Sequence, residues 1–254
     1  MSHLMAEMPW TQYRRRIDAG AVVLLPLGSV EQHGPHLPLG TDHLLATAVS
    51  ADAARMLAGR GRDAMVAPAL AYGYKSQPHM GGGQAFPGTT SLDAMTLIGQ
   101  VRDILRELHR HGCRRIVVVN SHCENQAFAW EGIDLARREH PQLRVMRLEY
   151  WDFTAPSTLD AVFPDGFPGW ALEHAAVVET SLMLHYHPAL VDMAALPDEP
   201  AAAFPVWDLC PQPDGLVPSQ GVLSPARGAD AAKGARIAAD CVAGIVDAVL
   251  RDLR

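Results

Sequence analysis

Two apolar runs limit what this chain can fold into more than any other feature: residues 21–27 (AVVLLPL) and Arg115–Asn120 (RIVVVN). Neither alternates polar with apolar residues, so each reads as a buried strand, the kind found in a parallel sheet covered on both faces. Strand candidates at 64–70 and 143–148 join them. Between the strands the pattern turns helical. Residues 42–57 are alanine-rich and end at Gly59. Residues 91–111 are strongly amphipathic, with Ser91 placed to cap the start and Gly112 just past the end. A further helix, with Ser121 as its cap, runs to Glu139. Helices at about 173–186 and 229–253 follow, separated by an irregular proline-rich segment over 197–225. Strands alternating with helices imply right-handed crossovers and a mostly parallel sheet, that is, an α/β fold. No internal repeat or domain boundary is visible, so 1–254 reads as one domain.

The chemistry collects where such a sheet binds ligands, just beyond the carboxyl ends of its strands. After the first run comes Glu31-Gln-His33-Gly-Pro-His36, then Thr41-Asp42; after the second comes His122-Cys123-Glu124. Glu31, His33, Asp42, His122 and Glu124 are five potential metal ligands in two short loops. Mixed imidazole and carboxylate donors suit Zn²⁺ or Mn²⁺. Five exceed the three side chains that a single catalytic zinc takes, which argues for two ions sharing a bridging carboxylate and activating a water. His36 reads as a support for a ligand. Cys123, beside His122 at a helix start, offers a rival nucleophile, with Glu124 orienting a base. Its neighbours are better used as ligands, however, and adjacent residues rarely face one another, so a small residue lining the pocket is the preferred reading.

The long loop over 72–90 is rich in glycine, and loops of this length inside compact domains are usually functional. Its Gly81-Gly-Gly83 run lacks the Gly-Lys-Ser/Thr that a phosphate loop needs, so a lid or close backbone packing fits better. His185 and His187 read as helix-end or surface residues. Glu173-His174 follows Gly169-Trp170 at an expected helix start, where an imidazole could serve as acid or base.

The chain has 254 residues, 48% hydrophobic and 19% charged, with a net charge of −7. That balance and the lack of a basic run argue against nucleic acid or an anionic membrane as partner. The four cysteines, Cys113, Cys123, Cys210 and Cys241, include no CxxC pair, so neither a disulfide framework nor a thiolate zinc site is indicated. No signal peptide and no membrane span is visible, and a reducing cytoplasm fits best.

The segments LPLGSVEQHGPHLPLGTD, YGYKSQ, FPGTTSLD, VVNSHCENQAFAWEGIDLA, YWDF, FPDGFPGWALEHAAVVETSLML and LVDM resemble the creatininase family of metal-dependent amidohydrolases over nearly the whole chain. YWDF and the GW-x-x-EH segment are similar to the family's namesake branch. The resemblance implies a three-layer α/β/α fold, a homohexamer, and two zinc or manganese ions per subunit. By the same resemblance Glu31 and His122 would hold one ion, His33 and Glu124 the other, and Asp42 would bridge them. Trp151 and Trp170 would flank a flat substrate, and Ser76 would touch it from the glycine-rich loop. Glu173 and His174 match the supporting and proton-transfer positions, His174 delivering a proton to the leaving nitrogen.

Two positions depart from the family pattern. Cys123 stands where the family has a tyrosine and Ala171 where it has an aspartate, both at substrate-contacting positions. Losing a phenol and a charge enlarges the pocket and makes it less acidic. The expected reaction is hydrolysis of a cyclic amide, creatinine to creatine. Another lactam, a formamide or a small peptide amide are the alternatives for the same chemistry. A non-catalytic metal-binding scaffold is the alternative of a different class.

Overall fold

In the computed structural model, residues 2–77, 81–210 and 213–253 are described. Four strands, β1 (Val22–Leu27), β2 (Ala64–Val66), β3 (Arg115–Asn120) and β4 (Arg144–Glu149), form one sheet in the order β2-β1-β3-β4, and every pairing is parallel. The helices are α1 (Trp10–Asp18), α2 (Thr41–Gly59), α3 (Ala94–Arg110), α4 (Gln126–Glu139), α5 (Pro156–Val162), α6 (Val177–Tyr186) and α7 (Ala231–Asp252).

The unbroken apolar character of β1 and β3 has a direct cause. Successive side chains on a strand point to opposite faces, and here both faces are covered. Val22, Leu24, Val117 and Val119 pack in a core with α2, α6 and α7. Val23, Leu25, Ile116 and Val118 pack in a second core with α3 and α4. The result is three layers, α/β/α. Because α2 leaves β1 on one face while α3 returns to β3 on the other, the chain changes direction between β1 and β3. A crevice opens at such a switch point, and the two ligand-bearing loops flank it.

Several boundaries differ from the sequence expectation. The second strand stops at Val66, and Leu70 makes only an isolated bridge to Leu27. Helix α3 starts at Ala94 after Asp93, so Ser91 does not cap it. Ser121 is not a cap either: a 3-10 turn (Cys123–Asn125) precedes α4. Glu173 and His174 lie before α6, which begins only at Val177. Helix α7 starts at Ala231, capped by Asp230, whose carboxylate accepts from Lys233 N at 2.8 Å. The proline-rich segment is irregular as expected over its described residues, and the glycine-rich loop is irregular apart from a 3-10 turn at Gly83–Ala85. Pro78, His79 and Met80 lie outside them. Helices α1 and α5 were not anticipated.

Candidate active site

Four separate segments bring polar side chains to the crevice: the loop after β1, the first turn of α2, the loop after β3, and the first turn of α6. Glu31, His33, Asp42 and His122 are all buried there. Each imidazole is fixed through its outer nitrogen. His122 Nε2 lies 2.9 Å from the Tyr74 carbonyl, and His33 Nδ1 lies 3.1 Å from the Glu31 carbonyl. A carbonyl only accepts, so these nitrogens carry the hydrogens and the inner nitrogens keep their lone pairs. His122 Nδ1 then faces Glu31 Oε2 and Asp42 Oδ2, each at 3.2 Å. His33 Nε2 faces Asp42 Oδ1 at 3.1 Å and Glu179 Oε2 at 3.7 Å. Two triads share Asp42, Glu31/Asp42/His122 and His33/Asp42/Glu179, with a different Asp42 oxygen facing each imidazole, and a third group, Glu31/His33/His174, lies beside them.

Neutral lone pairs facing buried carboxylates repel unless a proton or a cation lies between them. Both Glu31 oxygens, Asp42 Oδ2 and His33 Nε2 have no hydrogen-bond partner among the described residues. Unpartnered buried acceptors of this kind are rare in native interiors and call for an ion. The same field acts on the titrations. Burial would lower the His33 imidazole, but Asp42 and Glu179 hold it well above its ordinary value. Glu124 and Glu31, with Asp42, do the same for His122. Burial opposes ionisation of Asp42, yet His33 and His122 keep its carboxyl below the usual range. The oxygen and imidazole donor set fits a divalent cation at each triad.

Glu124 stands at the outer edge of the His122 ring, its Oε2 3.4 Å from Nε2, whereas Glu179 Oε2 is the carboxylate oxygen that, with Asp42, faces His33 Nε2. Two residues apart in a tight turn, His122 and Glu124 meet edge to edge and do not share a focus. Glu124 Oε1 accepts from Gln77 N at 3.1 Å, and the buried Ser76 also hydrogen-bonds this side chain. Burial raises the Glu124 carboxyl to about 7, aided by Glu31 and opposed by His122. Glu179 was missed because it sits inside the apolar stretch VVETSLML. A charged residue in a buried apolar helix is seldom there without a partner, and that was the available signal. Its Oε2 accepts from Ala175 N at 2.6 Å, and Ala175 has φ of 54°, a strained value for alanine.

Next to the triads lies a cavity of about 210 Å³, whose walls include Trp151, Trp170, Cys123, Ala171, Glu173 and His174. Burial raises the Cys123 thiol to about 11, with Glu124 adding to the effect, so no thiolate is available near neutral pH and the rival nucleophile loses its basis. Burial lowers His174 and leaves it neutral. Burial raises the Glu173 carboxyl to about 8; its Oε2 accepts from Val178 N at 2.8 Å, and Oε1 is unpartnered among the described residues. His36 supports the site indirectly. Its Nε2 lies 2.9 Å from Thr180 Oγ1, beside Glu179, and burial followed by His33 lowers its pKa to about 4.

Asn120 and Asn125, both fully buried, were also missed. Asn125 donates to the Gly28 carbonyl (3.0 Å) and Asn120 Oδ1 (3.2 Å) and accepts from Tyr74 N (2.8 Å), while Asn120 donates to the His122 carbonyl (2.7 Å). This lattice holds both the His122 backbone and the Tyr74 carbonyl that orients its ring. Asn125→Ala is expected to cost roughly 2–4 kcal/mol of stability, about 1 kcal/mol per hydrogen bond lost. Metal affinity should fall about 10- to 100-fold, as when other supports of ligands are removed. Calorimetric metal titration and thermal unfolding check both; wild-type affinity in the variant would refute the support role.

Comparison with known proteins identifies the family. The profile of the family described as "Creatininase: Creatinine amidohydrolase" matches residues 6–249. Creatinine amidohydrolase from Pseudomonas putida is 47% identical over 98% of this chain and 96% of its own length. A mycofactocin precursor peptide peptidase from Mycolicibacterium smegmatis is 35% identical over 91% of this chain and 85% of its own. A crystal structure of creatinine amidohydrolase superposes with a TM-score of 0.94 at 47% identity, covering 98% of this chain and 96% of that one. Among the described residues no helix is long and apolar enough to cross a membrane. With its layered parallel sheet, paired ligand triads and full-length similarity, this chain belongs to the creatininase family.

Proposed function

We propose that this protein is a metal-dependent hydrolase that opens the ring amide of creatinine to give creatine. The observation that carries this is the pair of triads sharing Asp42 beside a cavity flanked by two tryptophans. Glu31, Asp42 and His122 would hold one divalent cation, and His33, Asp42 and Glu179 the second. Zinc or manganese suits these donors, and similar structures include forms described as "Creatininase Mn" and "Zn-Zn type". When bound, such ions supply Lewis acidity and a water acidified to near neutral pH.

The chain's own residues do the rest. Trp151 and Trp170 present aromatic walls that orient a flat ring and keep bulk water from it. Breaking the ring C–N bond requires a proton at the departing nitrogen. His174, neutral and buried at the cavity wall, is suited to pass that proton on. Glu124, at the same cavity and with a pKa of about 7, is a second group suited to exchange protons. Glu173, protonated at neutral pH, offers a hydrogen bond without adding charge. Ser76 holds Glu124 and so acts on the substrate side indirectly. A cytoplasmic homohexamer completes this reading; exposed apolar side chains such as Trp10, Met95 and Trp207 are surface that contact between subunits would cover.

A second reading keeps the chemistry and changes the amide. Cys123 and Ala171 line the cavity with neither a phenol nor a carboxylate, and the peptidase relatives show that the family includes a peptide substrate in their own description. The deciding experiment is creatine formation from creatinine by protein loaded with Zn²⁺ or Mn²⁺, beside a Cys123→Tyr/Ala171→Asp double variant. Turnover by wild type supports the first reading. A silent wild type with an active double variant means a different amide. Silence in both, with metal bound, rejects creatinine.

A further inference from the structure

Gln32 sits in sequence between Glu31 and His33, yet its side chain is bonded to neither. It is buried, and its amide joins two irregular segments that no regular element holds together. Oε1 accepts from Gly34 N at 2.9 Å, and Nε2 donates to the Gly81 carbonyl at 3.0 Å and the Gly221 carbonyl at 2.9 Å. Gly81 belongs to the glycine-rich loop and Gly221 to the proline-rich segment. Both have positive φ (124° and 74°), and a Cβ on Gly221 would collide with the Gln32 amide. A Cβ on Gly81 would lie 2.9 Å from His174 Nε2. The proline-rich segment also reaches the His174 backbone, since Leu223 N donates to the His174 carbonyl at 3.2 Å.

The hydrogen-bond count at this amide has a consequence for His174. One N–H and two carbonyls fix which end of the amide is which. An amide NH₂ has two hydrogens, and Gly81 and Gly221 take both. His174 Nε2 is 3.0 Å from Gln32 Nε2 and also 3.0 Å from the Gln32 main-chain carbonyl. With no amide hydrogen left for the ring, His174 Nε2 must itself carry hydrogen and donate to that carbonyl. Nδ1 is therefore the lone-pair nitrogen.

We propose that Gln32 is a positioning residue: its amide clasps the glycine-rich loop to the proline-rich segment and fixes His174 with Nδ1 as the nitrogen that accepts and returns the proton. The kinetic half of this rests on the hydrolytic reading above; the clasp does not.

The test compares wild type with Gln32→Met, which keeps length without hydrogen bonds, and the milder Gln32→Asn, should the first fold poorly. Hydrogen exchange followed by mass spectrometry should show peptides from 81–90 and from 213–225 exchanging together, at least about tenfold faster than in wild type, as local opening becomes easier. Unchanged exchange in either segment overturns the clasp, whether or not creatinine is turned over. With metal loaded, kcat should fall about a hundredfold with KM within about threefold, the signature of a misplaced reacting group. In a His174→Ala background the same substitution should cost no more than about twofold, because residues acting as one unit are not additive. A full additive loss there means that Gln32 serves structure alone and overturns the positioning role. A wild type that makes no creatine defeats the functional reading instead, and the exchange experiment still decides the clasp.

Discussion

Asp42→Asn is expected to leave a folded protein that retains at most one equivalent of metal and turns over at least about a thousandfold more slowly, a loss of roughly 4 kcal/mol of transition-state stabilisation. The substitution preserves shape, and Asp42 lies in the first turn of α2, whose apolar packing does not depend on its charge. What it removes is one of two oxygens that face different imidazoles, Oδ1 toward His33 and Oδ2 toward His122. An amide offers a single acceptor and no charge, so one triad loses a donor and both lose the shared charge. Metal content after dialysis, together with kcat, is the measurement. Two ions retained with turnover within tenfold of wild type would refute the shared role. Glu179→Gln and Glu124→Gln in the same assay separate the two candidates for the His33 triad. Loss of one ion is expected from Glu179→Gln and retention of both from Glu124→Gln. The reverse would restore the pairing implied by resemblance.

Metal-free protein is expected to be most stable at about pH 5–6 and to weaken toward pH 9, whereas metal-loaded protein strengthens over the same range. His33 and His122 have raised folded-state values, so their contribution is complete below the unfolded value near 6.5 and is lost as pH rises through the folded one. Glu124 and Glu173, raised to about 7 and about 8, act in the same direction, since their ionised forms are penalised by burial. Asp42 and Glu31 have lowered values. Burial opposes this in both, but the imidazoles prevail, so their contribution disappears only as pH falls below the ordinary carboxylate range. The alkaline loss amounts to a few kcal/mol at about 1.4 kcal/mol per unit. Bound metal replaces the protons on the imidazoles, so its affinity and the stability it adds both rise with pH. Thermal midpoints at pH 5.5, 7 and 8.5, with and without chelator, test this; parallel curves would refute it.

Much of the architecture was legible because burial on both faces leaves a plain mark: β1 and β3 appear as unbroken apolar runs, and α3 as a clean amphipathic stripe. The ligand loops were legible for a related reason, since chemistry at a parallel sheet gathers beyond its strand ends. Other features left no such mark. Helix α1 carries only one buried residue, Ile17, so its sequence looks like solvated coil. The start of α6 was misjudged because Glu173 and His174 have helical neighbours but irregular backbone. Glu179 and Glu124 could not be ranked from spacing, because the choice depends on which edge of the His122 ring faces inward. That is set by a carbonyl from Tyr74, nearly fifty residues away in sequence. The roles of Asn125 and Gln32 consist of contacts with distant main chain, which one-dimensional patterns do not carry.

The two triads draw on residues from position 31 to position 179, from two loops beyond the strand ends and two helices. Neither local hairpins nor a folded first half can complete them: the second triad waits for α6 to dock. Closing so long a span is slow relative to local structure, so if each triad takes an ion, capture at the second should come late in folding. Ion capture thus acts as an inspection of the finished chain. The ratio of metal to protein in a preparation would grade its molecules by how completely they have assembled, with truncated or arrested chains holding one ion or none.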